Sequence, residues 1–198
     1  MCVSLVLRRF LSHNKEMRYW WANQKHTYDT EIRGGFLWCR QRRANGTRNP
    51  FYENVRLAAP GDVIFAYHDA DIRAVGMVLS RARATVPPVA RAALDGAPDV
   101  KGWLLDVAWL ELKRPLRPGL FMGILASLLP EVHAPLTPAG KGIQGGRLLE
   151  IPDRLARALL QLAGGTNPAE LVNPDWLPHQ LRFGFAEPEE FLDRSQKE

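Results

Sequence analysis

Residues 63–80, VIFAYHDADIRAVGMVLS, decide the fold class. Residues 63–67 and 72–80 are apolar and rich in β-branched side chains, and the short polar link HDAD, residues 68–71, joins them. Two such runs across so short a link predict a β-hairpin. Upstream, RYWWAN (18–23) and FLWC (36–39) have the aromatic, strand-like character of two more short strands. Between them and the hairpin, Asn49-Pro50 supplies a helix N-cap with proline in the first turn, predicting a helix over 51–58 that Pro60-Gly61-Asp62 ends. Downstream, 83–102 reads as a loop broken by prolines, and 103–112 as a long strand with Trp103, Leu105, Val107 and Trp109 on one side. A compact apolar helix is expected over 120–129, a strand over 147–151 and an amphipathic helix over 153–163. Short strands interleaved with short helices describe an α+β domain built on a small, bent sheet or barrel.

The 198 residues suit one domain, and 46% hydrophobic with 24% charged residues is ordinary globular composition. No apolar run approaches the roughly 20 residues of a bilayer span. The N-terminus places its apolar stretch before its arginines, the reverse of a secretory signal. With only Cys2 and Cys39 there is no disulfide framework, so a reducing, cytoplasmic location is expected.

The formal net charge of +5 is unevenly spread. Residues 17–84 carry 11 basic and 6 acidic side chains, whereas residues 85–198 carry 12 and 14. The densest point is CRQRRANGTR, residues 39–48, with Arg40, Arg42, Arg43 and Arg48, no acid, and Asn45-Gly46 marking a turn. Such a turn is either a phosphate clamp, since guanidinium binds phosphate oxygens in bidentate fashion, or a solvated basic loop.

Little points to catalysis or to a metal. The histidines have no ligand spacing, neither cysteine has a neighbouring partner, and there is no nucleophile elbow, dinucleotide fingerprint or Walker loop. Cys39 lies among arginines that could lower its pKa, but no base is near it in sequence. Asp69 and Asp71 are the tightest acidic pair and read first as turn formers, with contact of one of them to a base edge as the alternative. No cofactor, metal or catalytic residue is expected. Trp20, Trp21 and Trp38, by contrast, lie close to Asn23, Gln24 and the arginine turn. Indole faces stack bases and amides read their edges, so this mixture suits a site for an unstacked nucleobase. Since neighbouring strand residues face opposite ways, at least one of Trp20 and Trp21, and also Trp109, belongs to the core.

Residues 18–84 carry WW-x-NQ, a Gly-Gly-aromatic-Leu-Trp step, NG-x-RNPFYE and PGD, and G-x-GIQ follows at 140–144. This ordered pattern, extending through about residue 165, resembles the EVE domain of the PUA-like superfamily. It is most similar to the EVE-like module at the N-terminus of bacterial HNH-type, modification-dependent restriction endonucleases. The resemblance implies a PUA-like bent β-barrel with short flanking helices over 17–165, an N-terminal extension over 1–16 with Met17 as an alternative start, and a C-terminal tail over 166–198.

It further implies a non-catalytic reader of a modified base flipped out of nucleic acid, with 5-methyl- or 5-hydroxymethylcytosine in DNA preferred. Trp38 would form a cage wall facing a hollow that admits a pyrimidine ring. Asn23 and Gln24 would line the pocket floor, Asp69 would accept from a cytosine amino group, and Gln144 would sit in the closing loop. Related readers draw a further cage aromatic from the loop before the long strand. None stands in 83–102, so Tyr67 or Trp103 would substitute. Lys25, Arg40, Arg42, Arg43 and Arg48 would hold the nucleic-acid backbone. The alternatives are a fragment or specificity module of such an endonuclease, working with a separate nuclease, and a reader of modified RNA.

Overall fold

The computed structural model describes residues 17–164 apart from 96, 97 and 144. The expected extension, the tail and Gln144 lie outside the described residues.

The hairpin forms as the sequence predicts, from β3 (Val63–His68) and β4 (Asp71–Val78). Asp69 and Ala70 make its turn with φ of 48° and 68°, the left-handed pair that a tight two-residue hairpin requires. β1 (Tyr19–Asn23) runs parallel to β3, pairing Trp20 with Ile64, and antiparallel to β7 (Leu148–Ile151). β2 (Phe36–Arg40), β5 (Arg83–Thr85) and the 15-residue β6 (Gly102–Leu116) complete the sheet. The strand order is β2-β6-β4-β3-β1-β7, with β5 on β6.

β6 is why the sheet curls. Its first part, from Gly102 to Asp106, pairs with β2 and β5, and from Val107 onward it pairs with β4. One strand thus serves two sub-sheets, and the register shifts between Ala66 and Tyr67 and between Ile72 and Ala74 add local bends. The result is the expected α+β class, a curled half-barrel with a few short helices.

Period-two alternation divides the two adjacent tryptophans between two cores. Trp21 joins Phe65, Val75 and Leu149 under α5 (Asp153–Leu162), whose Leu155, Leu159 and Leu160 are buried. Trp20 joins Ile64, Leu37, Leu105 and Trp109 on the opposite face, closed by Val55 of α2 (Pro50–Leu57). Asn49 caps α2, its side chain accepting from the backbone N–H of Phe51 at 3.0 Å. Asp62 anchors the turn after α2: its carboxylate accepts from Trp20 Nε1 and from the Ala59 N–H, each at 3.0 Å.

Three segments differ from expectation. α1 (Tyr28–Gly34) has no apolar period to announce it, because its inward side carries Tyr28 and the carboxylate of Glu31. It ends at Gly35, whose φ of 68° is the left-handed C-cap geometry that glycine adopts without strain. The expected loop over 83–102 contains β5 and α3 (Val89–Asp95). The expected helix over 120–129 is a 3₁₀ turn, a single α turn (α4, Met122–Leu125) and another 3₁₀ turn. There Leu120 and Ile124 are 76% and 56% exposed, and without a continuous buried face nothing sustains a regular helix.

Candidate nucleic-acid interface

Trp38 stands in the middle of β2, where its N–H donates to Glu31 Oε1 at 3.1 Å and its carbonyl accepts from Arg147 Nη2 at 2.9 Å. The first contact comes from α1, which carries Glu31 inward, and the second from the segment leading into β7. Glu31 is fully buried and is held by Arg147, by Gln24 Nε2 at 2.9 Å and by Thr27 Oγ1 at 3.0 Å. Arg147 also donates to the carbonyl of Asn23 at 2.9 Å. Asn23 turns its side-chain amide to the carbonyl of Ile143 at 2.8 Å. Asn23, Gln24 and Trp38 therefore meet around one carboxylate and one guanidinium.

The indole of Trp38 does not face an open hollow. It is fully buried, and the guanidinium of Arg91 lies 5.3 Å from its ring centroid, with Arg91 Nε 3.8 Å from Glu31 Oε1. The expected open cage wall is thus corrected, and its physical reason is α3. The segment read as a loop folds into a helix that lays a planar cation on the indole. Phe36 and Leu104 pack beside Trp38. Two buried polar atoms of this cluster, Gln24 Oε1 and Trp38 Nε1, have no hydrogen-bond partner among the described residues. Such orphans cost about 1–3 kcal/mol each.

The expected substitute aromatics stand elsewhere. In the β2–β6 register Trp38 is opposite Leu104 and Cys39 is opposite Trp103, so Trp38 and Trp103 project from opposite faces of the sheet. Tyr67 packs on Trp21 with ring centroids 4.8 Å apart, and its hydroxyl accepts from the N–H of Gly142 at 3.1 Å. Neither residue forms a cage with Trp38. Asp69 sits exposed at the hairpin tip, 3.1 Å from His68 Nε2, and His68 contacts the Gln24 carbonyl through Nδ1 at 3.1 Å. Cys39 is buried. Burial pushes its thiol up to about 12, outweighing the opposing pull of Arg147, so the neighbouring arginines do not activate it.

The arginine turn is an ordered, exposed structure. Arg43 N–H donates to the Thr47 carbonyl at 2.9 Å, and Asn45 Oδ1 accepts from both the N–H and the hydroxyl of Thr47. Arg42, Arg43 and Arg48 are exposed, as is Lys25 on the turn before α1. Two clefts flank the turn. One of about 220 Å³ is lined by Gln41, Arg42, Arg48, Glu53, Arg56 and Trp103. The other, about 380 Å³, is lined by residues 40–44 with Val100 and Lys101. Among the described residues no helix is long and apolar enough to cross a membrane, and no group of three or more His, Cys, Asp and Glu side chains could hold a metal.

No family model matches this chain, and no curated protein matches it. Solved structures do. A hypothetical protein from Leishmania major matches with a TM-score of 0.51 at 10% identity, covering 77% of this chain and 98% of that one. The YTH domain of Zygosaccharomyces rouxii MRB1, solved with N6-methyladenosine RNA, matches with a TM-score of 0.48 at 13% identity, covering 75% and 88%. A Pseudomonas syringae protein matches with a TM-score of 0.46 at 18% identity, covering 73% and 99%. The likeness to the first shows a shared fold.

Proposed function

We propose that this domain is a non-catalytic reader of an extruded base in nucleic acid, of the EVE class, with a modified cytosine in DNA as the preferred ligand. One observation carries the proposal. Arg91 sets its guanidinium over the indole of Trp38, 5.3 Å from the ring centroid, with Nε 3.8 Å from the buried carboxylate of Glu31. A cytosine ring would use the same two neighbours, stacking on the indole and donating its amino group to the acid. Arg91 then occupies the place of the base, and binding exchanges one planar donor for another. The unpaired Gln24 Oε1 is a further acceptor for the base edge. Asn23 supports the floor through its link to Ile143, and the exposed Arg42, Arg43, Arg48 and Lys25, together with Arg40, supply sequence-blind attraction to phosphates.

The test is equilibrium binding of the full chain to DNA carrying one 5-methylcytosine, one 5-hydroxymethylcytosine or only cytosine, with N6-methyladenosine RNA as a parallel arm. A modified DNA should bind about tenfold or more tightly than its unmodified match, about 1.4 kcal/mol. Arg91→Gln, which removes the competing cation, should tighten the modified ligand. Equal affinities across the DNA set would end the proposal, and preference confined to the RNA would move the reader to RNA.

A further inference from the structure

The 220 Å³ cleft between α2 and β6 is separate from the Trp38 cluster, because Trp103 projects from the opposite face of β6. We propose that it is a second, sequence-blind subsite that stacks one unpaired nucleotide of a DNA strand on Trp103 and holds its phosphate among the arginines. The proposal rests on the nucleic-acid-binding half of the reading above and not on its preference for a modified base.

Four features of the cleft specify this ligand. Its lining sets three arginines, Arg42, Arg48 and Arg56, against one acid, Glu53, so it selects for an anion. It also contains an aromatic plane: Trp103 packs against the inner core, part of its ring stays accessible, and the Arg56 guanidinium lies 4.8 Å from its centroid. An anion with a flat aromatic part satisfies both, and a nucleotide is that combination. The cleft is smaller than the roughly 300–1,000 Å³ of sites for larger ligands, which suits one ring system with its phosphate at the mouth. Finally, Gln41 and Arg42 line this cleft and also the neighbouring 380 Å³ one, where Arg40, Arg43 and Lys101 continue the positive surface, so a strand can pass from one to the other.

Arg56 does not block entry. Its only acid in the cleft is Glu53, at 3.0 Å, and both side chains are well exposed, at 55% and 39%. Exposed pairs of this kind contribute little, so Arg56 can leave the indole and follow the phosphate. Arg91, buried against Glu31, has no such freedom without a ligand to replace it.

The experiment uses the full chain labelled with 5-fluorotryptophan, with the Trp103 fluorine resonance assigned by its loss in Trp103→Phe. The probe is an unmodified single-stranded deoxythymidine hexamer. Trp103 should shift on titration. Trp103→Leu should weaken hexamer binding by about 5- to 150-fold, the range for losing one stacked base. Arg56→Gln, at an exposed position, should weaken it severalfold and flatten its dependence on salt. A stationary Trp103 resonance at saturating hexamer would overturn the proposal, as would affinities of both folded variants within twofold of the unsubstituted chain. Should modified-base preference fail while Trp103 still responds, the reader assignment falls and this subsite stands. Intact preference with a silent Trp103 removes the subsite alone.

Discussion

Glu31 and Arg147, 116 residues apart in the chain, form an ion pair inside the domain that joins α1 to the segment leading into β7. The same Arg147 nitrogen holds the carbonyl of Trp38. One guanidinium therefore ties together the helix, the strand and the loop that make the candidate base site.

Breaking that pair from one side leaves a buried charge with too few partners. Arg147→Met should lower stability by about 3–5 kcal/mol, the usual cost of orphaning a buried ion. The double variant Arg147→Met with Glu31→Leu should recover much of the loss, since neither charge then remains. Urea midpoints at constant slope measure both. A loss below about 1 kcal/mol in the single variant would mean that Arg147 is not what holds Glu31.

Gly102 sets how closely β6 approaches Trp38. A Cβ there would lie 2.3 Å from Trp38 Cε2 and 2.5 Å from the carbonyl oxygen of Cys39. Gly102→Ala must displace the indole or the strand, at a cost of about 1–3 kcal/mol, and should also impair modified-base binding. Gly123→Ala is the control, since a Cβ at Gly123 meets nothing within 4 Å. Its effect should fall between neutral and a gain of about 1 kcal/mol. Thermal unfolding of the pair checks the contrast, which would vanish if β6 could shift freely.

Asp106 links stability to acidity. Burial raises its pKa, but hydrogen bonds from Arg83 and Ser80 together with the Arg83 charge outweigh this, so the carboxyl stays below its ordinary value. A depressed folded-state pKa stabilises above the unfolded value and loses that contribution as pH falls through the folded one. Arg83→Met should therefore cost most stability near neutral pH, and the difference from the unsubstituted chain should shrink below about pH 4. Urea titrations at pH 7 and pH 3 read the change. A difference that stays constant with pH would remove the link.

Local patterning made much of the architecture legible. Apolar, β-branched runs at 63–67 and 72–80 and alternation at 103–109 encoded strands, Asn49-Pro50 encoded a capped helix start, and Leu155, Leu159 and Leu160 encoded the face of α5. Each signal arises from neighbours a few residues apart, where steric and capping preferences act directly. α1 and α3 gave no such signal. The inward positions of α1 hold Tyr28 and Glu31, and α3, rich in alanine, leaves Val89 89% exposed, so neither shows a helical stripe of apolar residues.

The amino-acid sequence by itself determined the strands and the basic turn at 39–48, and it named Trp38, Asn23 and Gln24 as candidates for one site. The tertiary structure alone decided that Glu31, Arg91 and Arg147 complete that cluster, that Arg91 covers Trp38, and that Tyr67 and Trp103 lie apart from it. The physical reason is range. A buried acid is tolerable only beside the cations that neutralise it, and here those cations come from α3 and from the segment before β7. Which face of the sheet Trp103 occupies depends on strand register, a property of paired strands that neither strand holds on its own.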